Sequence, residues 1–500
     1  MIGAASLRAI VVCVSLALAP READSNCRWP QFRGPNAMGV AAEGMKLPTY
    51  FGPAKNVVWK TPLPLGHSSP CIWDDRMFLT GFDSAAKKLE TLCVDRRNGQ
   101  ILWRRDAPAR QIEKGHNFNN PAVSTPATDG ERVYVYFGSF GLLCYDFNGK
   151  EQWQKPLPRV QTAFGTATSP VVAGELLLLN CEFQPDPCLI AVQTRTGETQ
   201  WKQARKLTSL GGPVDGYATP VVWRHDDVNE VVLHGRMRLT AYDLKDGKER
   251  WTVGATSSAS STPVLGDGQL YHAAHGFGTV EGEVKEWPPF DAILKDYDKN
   301  KDGQISATEF PTDLYLFQRL DVSGTDLPLR WLFRGIDANQ DGQVSREEWG
   351  KFLEQRREIG RQQLVGLLAI KPGGHGDVTK THVSWREQRA ISEVPSPLYY
   401  RERVYMVRDG GIVSCLDAKT GRLMYRERLG ASGAYFSSPV AGDGKIYVAS
   451  QLGVVVVLAA GDRFTVLARN DLGESIQATP ALVDGKIYVR TEKHLYAFAE

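Results

Sequence analysis

Ser396-Pro397-Leu398-Tyr399-Tyr400 opens a stretch that continues through Val404-Tyr405-Met406-Val407, Gly411-Ile412-Val413-Ser414-Cys415-Leu416-Asp417 and Gly421-Arg422-Leu423-Met424-Tyr425. It reads as four short strands. Proline fixes φ and lacks a ladder donor, so the Ser-Pro pair belongs at a strand start. The second segment is β-branched and aromatic, a glycine turn leads to the third, and Asp417 to Gly421 turns into a fourth that ends on an aromatic ring.

The stretch recurs. A Ser/Thr-Pro pair stands at Pro70, Pro126, Pro170, Pro220, Pro263, Pro397, Pro439 and Pro480. Intervals of about 41 to 56 residues suit four-stranded propeller blades, and one interval of about 134 residues marks an insertion in the fifth copy. Asp-Gly pairs at Asp129-Gly130, Asp267-Gly268, Asp443-Gly444 and Asp484-Gly485 predict hairpin turns that need positive φ. Aromatic closers recur at Trp103, Trp153, Trp201, Trp251, Trp385 and Tyr425, while blade seven has Val466 near that place. The last copy ends at Glu500 without a closer, and Asn56-Val57-Val58-Trp59 supplies one. The N-terminal strand is therefore expected to complete the eighth blade, and closing the ring removes two unpaired sheet edges.

The expected fold is all-β: an eight-bladed β-propeller of four-stranded blades, with a small α-helical EF-hand pair inserted in blade five. The repeats resemble those of the quinoprotein (pyrroloquinoline quinone dehydrogenase) propellers, whose pattern Ala-x-Asp-x-x-Thr-Gly-x-x-x-Trp is matched at Ala241, Asp243, Gly247 and Trp251. Cys415, Asp417, Thr420, Gly421 and Tyr425 follow it closely. Trp29-Pro30-Gln31-Phe32-Arg33-Gly34-Pro35 is similar to openings of exported bacterial members and reads as a strap packing Trp29 and Phe32 on the propeller, with a ligand role for Arg33 as the alternative. The resemblance implies one of two activities, because the same repeats also build non-catalytic scaffolds such as the propeller subunit of the outer-membrane barrel-assembly machinery.

Composition narrows the classes. Five hundred residues at 42% hydrophobic content can bury a large core, and the formal net charge of +2 gives no electrostatic case for nucleic acid or an anionic membrane. No apolar run reaches the length of a membrane span. Arg8 followed by the apolar run 9–19 is a signal-peptide pattern, with cleavage expected between Ala17 and Ala23 and with no lipoprotein context at Cys13 or Cys27. The expected organisation is a signal peptide over 1–23, propeller over 24–282, an EF-hand pair over 283–362 and propeller again over 363–500. Periplasmic or secreted placement follows from the leader.

Cys93, Cys144 and Cys415 share a repeat position with Ala191, Ala241, Ala369 and Ala497, which predicts a small buried slot open to Ala or Cys alone. Cys181 and Cys188 flank a loop between two strands, where a cross-strand disulfide stands or falls on which way the side chains face. The absence of Cys-x-x-Cys removes thioredoxin-like chemistry, c-type haem attachment and zinc knuckles.

The insert carries the sharpest motif. Asp298, Asn300, Asp302, Gly303, Gln304, Ile305 and Glu309 occupy the positions of an EF-hand loop, and Asp337, Asn339, Asp341, Gly342, Gln343, Val344 and Glu348 occupy them again. Oxygens at positions 1, 3 and 5, a backbone carbonyl at 7 (Gln304, Gln343) and a bidentate Glu at 12 surround a hard cation, and glycine at 6 permits the sharp turn. Two calcium sites are expected. Ile305 and Val344 should pair the loops; helices are expected over 290–297, 327–336 and 347–363, and Pro311 stands as a breaker after the first loop.

No P-loop, His-Glu-x-x-His or Gly-x-Ser-x-Gly motif is present, so no catalytic residue is assigned. Quinoprotein dehydrogenases hold their cofactor beneath a ring of two adjacent cysteines; this chain has no adjacent cysteines, so pyrroloquinoline quinone is not expected and no cofactor residue is assigned. Loops entering the first strands should line one channel mouth, where His67, His116, Asn120, Asp215 and Tyr217 could bind a small polar ligand or a peptide. The plainer reading is that strands crowding the axis require small residues and solvated polar loops. The favoured function is an exported, non-catalytic propeller that holds an unknown protein or glycan on a face. The alternative is a quinone-dependent oxidoreductase of an alcohol or sugar.

Overall fold

Where each copy's Ser/Thr-Pro pair ends, a short strand begins, and three further antiparallel strands follow it outward in chain order. The computed structural model describes residues 27–114, 119–162, 164–205, 215–235, 237–255, 260–275, 279–280, 283–284, 287–317, 327–362 and 364–500. Eight of its sheets, each of four or five strands, form the eight-bladed propeller. Blade six shows the unit: Leu398–Tyr400, Arg403–Val407, Ile412–Asp417 and Leu423–Arg428. Blade eight is shared by the two ends of the described chain. Ala481–Val483, Lys486–Arg490 and His494–Phe498 take Val57–Pro62 as their outer strand, with Trp59 opposite Ala497 as expected.

The Ser/Thr of each pair has a reason beyond strand initiation. The Ser69 amide donates to the Thr125 hydroxyl (3.0 Å), Thr125 to Ser169 (3.0 Å), Ser169 to Thr219 (3.2 Å) and Thr219 to Thr262 (3.1 Å). Thr262 donates to Ser396, Ser396 to Ser438, Ser438 to Thr479 and Thr479 back to Ser69, each at 3.0 Å. One amide per blade therefore finds its acceptor on the next blade, and the circuit closes. All eight residues are buried, where an unmet amide would be costly.

The rest of the repeat is also a contact between blades. Cys93, Cys144, Ala191, Ala241, Ala369, Cys415 and Ala497 each lie opposite the closing ring of their own blade. That ring then crosses to the next blade's turn: the indole N–H groups of Trp59, Trp103, Trp153, Trp201 and Trp385 donate to the carbonyls of Arg96, Phe147, Thr194, Leu244 and Ala418. The turn glycine is needed because the ring lies against it. At Gly247, which has φ +73°, a Cβ would sit 2.5 Å from Trp201. Trp251 differs, bonding to Glu230 of its own blade.

Blade seven corrects two expectations. Its closing position is Ala468, opposite Val457, whereas Val466 pairs with Leu458. The slot thus admits Val when the facing ring is absent, a volume exchange across one contact. The turns correct a third: Asp267, Asp443 and Asp484 have positive φ like the glycines after them, but at Asp129-Gly130 only Gly130 does. The strands there rejoin at Thr128 and Val133, across a longer loop.

The N-terminal strap runs through the bore. Arg28–Trp29 pairs with the inner strand of blade one, and the Pro30 carbonyl accepts from Cys71 Sγ and from the Thr128 amide of blade two. Arg33 Nη2 donates to the Pro397 carbonyl of blade six at 2.6 Å, and Gly39 and Ala41 pair with Ala441 of blade seven. The strap therefore crosses beside the first residues of the inner strands, adjacent to the hydroxyl circuit. Trp29 is 1% exposed and packs as expected, while Phe32 is only half-buried.

The inserted segment leaves blade five after Ala274 and returns at Gly366, between the blade's second and third strands. Blade five is complete without it: Val264–Gly266, Gln269–Ala274, Gly366–Ile370 and Val383–Glu387 form one sheet. Within the insert lie α1 (Phe290–Tyr297), α2 (Phe333–Ile336) and α3 (Arg346–Gln362). The expected second helix is shorter, beginning as a 3₁₀ turn over Leu329–Leu332. Among the described residues no helix leaves the first loop; Pro311 stops it, and the chain continues as a short strand, Tyr315–Phe317.

Candidate functional site

Asp298 caps the end of α1 and Asp337 caps the end of α2, so each helix delivers the first residue of a loop. The loops join through an antiparallel pair, Ile305 opposite Val344 and Ser306 opposite Gln343. Ile305 and Val344 are fully buried with Phe290, Ile293, Phe310, Leu329, Ile336, Trp349 and Phe352, and this shared core sets the two loops back to back.

Each loop is wound as its residue types require. Asp298 accepts from the Lys301 and Gly303 amides, Asn300 from Asp302, and Asp302 from Gln304. Asp337, Asn339 and Asp341 accept from Gly342, Asp341 and Gln343 in the second loop. Gly303 and Gly342 have φ of +81° and +85°, the turn that glycine alone makes freely.

Glu309 reaches back over its loop. Its carboxylate accepts from the amides of Lys299 (3.1 Å), Asn300 (3.2 Å) and Ser306 (3.1 Å) and from the Ser306 hydroxyl, which hold it below the usual carboxylate range. Glu348 does the same with Ala338, Asn339 and Ser345. Burial pushes its carboxyl up, and the Ser345 amide and hydroxyl outweigh that push, leaving it low. Both position-12 carboxylates are thus ionised and placed over their loops. Asp337 Oδ1, at position 1 of its loop, is buried without a partner among the described residues, as an oxygen left for a cation would be. Among the described residues no group of three or more His, Cys, Asp or Glu side chains converges on one point; the loop carboxylates are engaged with backbone amides instead.

The mouth assembles only some of the residues the sequence singled out. Thr162, Asp215 and Tyr217 meet: Asp215 Oδ2 accepts from the Thr162 hydroxyl at 2.6 Å and from Tyr217 at 2.8 Å, with Phe164 and Phe183 edged against the Tyr217 ring. Asn120 is spent locally, accepting from the Ala122 amide. Burial, then the nearby Arg490 cation, push His67 down to about 4, so it is neutral at pH 7. His116 lies outside the described residues. Arg33 is wholly buried, which pushes its guanidinium down to about 9 and makes it a tether to Pro397 rather than an open ligand.

Four groups near the mouth were not anticipated. Arg490 is buried and donates to Pro64, Ser68 and Thr80. Arg205 and Glu182 form an ion pair of 3.0 Å with neither side chain exposed. His234 and His272 meet ring to ring at 3.9 Å between blades four and five. Glu113 sits beside Thr166, its carboxyl pushed up by burial. The repeat register holds a signal for two of them, because Thr80, Asn180, His234 and Arg490 occupy one polar position at the end of the second strand.

The family model described as outer membrane protein assembly factor BamB matches residues 52–217, 87–280 and 409–500, and the model described as EF hand matches 290–312 and 330–353. No curated protein matches the chain. Among solved structures, BamB from Moraxella catarrhalis is 13% identical at a TM-score of 0.51, covering 88% of this chain and 98% of its own. A europium-containing methanol dehydrogenase is 12% identical at 0.54, covering 95% and 98%. A quinohemoprotein alcohol dehydrogenase from Pseudomonas putida is 12% identical at 0.52, covering 95% and 80%. At these identities the likeness is one of fold.

Proposed function

The chain belongs to the repeat family described as outer membrane protein assembly factor BamB, and from that premise we propose that it is an exported, calcium-binding, non-catalytic propeller that holds a protein or glycan partner on one face of its ring. The observation that carries this reading is the strap. It occupies the bore beside the hydroxyl circuit, touching blades one, two, six and seven, so the ring offers surfaces rather than an open axial funnel.

A quinone does not fit the residues present. The seven described cysteines include no adjacent pair, and the strap's own backbone lies against the inner strands of blades one, six and seven. The resemblance to such enzymes keeps a quinone-dependent oxidoreductase of an alcohol or sugar as the competing reading, so the two are set against each other by experiment. Purified protein incubated with pyrroloquinoline quinone and calcium is expected to show no cofactor absorbance and no dye-linked oxidation. Stoichiometric cofactor binding with turnover would overturn the proposal, and a pull-down from the native periplasm would identify the partner.

Calcium belongs to the inserted pair, taken as residues 283–362, with Asp298, Asn300, Asp302, Gln304 and Glu309 for one ion and Asp337, Asn339, Asp341, Gln343 and Glu348 for the other. The support is the pre-wound loops and the unpartnered Asp337 Oδ1. The leader is taken as 1–23. Among the described residues no helix is long and apolar enough to cross a membrane.

A further inference from the structure

Blade three places two thiols directly against each other. Cys181, the last residue of the strand Leu176–Cys181, is the register partner of Cys188, the first residue of Cys188–Gln193. Directly opposed residues of an antiparallel pair have Cα atoms about 4.5–5.5 Å apart. That falls inside the span of about 4.4–6.8 Å that a disulfide bridges. Opposed residues also point to the same face of a sheet, so the two sulfurs meet. They lie within hydrogen-bond reach of one another.

The other described cysteines are placed differently. Cys93, Cys144 and Cys415 face Trp103, Trp153 and Tyr425, and burial pushes the Cys93 and Cys415 thiols up to about 12. At blade three the hydrogen bond from Cys181 holds the Cys188 thiol below its ordinary value, against burial, and the Lys202 cation adds to it. Cys181 is half-buried, so an oxidant can reach the pair.

We propose that Cys181 and Cys188 close into a cross-strand disulfide that clasps the mouth loop 182–187. The proposal rests on the export reading, since an exporting compartment supplies a disulfide oxidant. The Cys188 thiolate, held low by the Cys181 hydrogen bond, attacks one sulfur of that oxidant, forming a mixed disulfide and releasing a thiolate. Cys181 gives up its proton to that released thiolate and attacks the Cys188 sulfur, the Cys181–Cys188 bond forms, and the second oxidant sulfur leaves as a thiolate that takes up the second proton. Two electrons and two protons pass from the pair to the oxidant.

The clasped loop holds part of the mouth. Glu182 carries the buried pair with Arg205, its carbonyl accepts from the Gly216 amide, and Phe183 packs on Tyr217. Gln184 accepts from the Gln161 amide. Fixing the base of this loop therefore fixes the supports of Thr162, Asp215 and Tyr217.

The test is a thiol count and a peptide map. Full-length protein recovered from a bacterial periplasm without reductant, then denatured, should titrate two thiols fewer than after reduction, with the 181 and 188 peptides linked. Cys181→Ser and Cys188→Ser should each abolish the linked peptide with an unchanged far-ultraviolet spectrum, and amide exchange over 182–187 should be at least tenfold faster than in wild type. In a second arm, folded reduced protein made in the cytosol is exposed to oxidised glutathione. Closure there, in a chain that fails to reach the periplasm, supports the clasp and removes the export reading. A thiol count that reduction leaves unchanged in both arms would overturn the clasp itself.

Discussion

Thr125 shows what one residue contributes to the ring. Its hydroxyl accepts from the buried Ser69 amide, and its own amide donates to Ser169. Thr125→Val keeps the shape but removes the acceptor, so stability should fall by about 1–3 kcal/mol; urea denaturation reads this directly, and a loss below a few tenths would show that the circuit is ornamental. His234 and His272 make a second argument at this scale. Both are wholly buried beside each other, and burial lowers both pKa values, His234 to about 3. The unfolded chain therefore binds protons more readily than the folded one. Their contribution is fully present above pH 6.5 and is lost as pH falls toward the folded values. Between pH 6.5 and pH 5 His234 should cost about 2 kcal/mol, and His272 adds to the loss in the same direction. His272→Leu should flatten the dependence of the melting temperature on pH over that interval, and a parallel curve would refute the assignment.

The loop pair behaves as one element because Ile305 and Val344 share a buried bridge. Each loop carries three carboxylates, Asp298, Asp302 and Glu309 in one and Asp337, Asp341 and Glu348 in the other. Calorimetry with calcium should find two ions per chain bound cooperatively, with affinities anywhere from about 10⁻⁷ to 10⁻³ M. Glu309→Gln and Glu348→Gln should each weaken one site, and zero ions in the wild type would remove calcium from the account. Asymmetry is also expected. The first loop lacks an exit helix where Pro311 stands, while the second leads into α3, so Glu309→Gln should disturb the module's helical signal less than Glu348→Gln.

At the scale of the molecule, closure rests on one strand. Val57–Pro62 completes blade eight, and Trp59 both faces Ala497 and bonds to the Arg96 carbonyl of blade one. Trp59→Ala removes a large buried ring at that seam, a loss of about 3–5 kcal/mol. Because the circuit links all eight blades, the melting transition of the whole ring should shift as one. The insert should not follow it: blade five pairs Gln269–Ala274 with Gly366–Ile370 regardless of what lies between. Stripping calcium should therefore move only the module's transition in differential scanning calorimetry. Collapse of the ring on chelation would contradict the independence of the two units.

Eight Ser/Thr-Pro pairs, the recurring closers and the two complete loops were legible in the sequence, because each is a local pattern repeated at fixed spacing. Strand count, the closing role of Trp59 and the insertion point follow from period and order alone. What those patterns share between blades was not legible. The hydroxyl of one repeat serves the amide of another about forty or more residues away, and a turn glycine yields to the previous blade's ring. Val457 opposite Ala468 could not be read either, since the compensation depends on a bulge that sets which residue faces the slot. The same holds for Arg33 in the bore, His234 against His272, and Cys181 opposite Cys188. Sequence spacing specifies which strands form, but side-chain facing depends on strand register, and a one-residue slip reverses it. Only the closed ring sets that register in every blade at once.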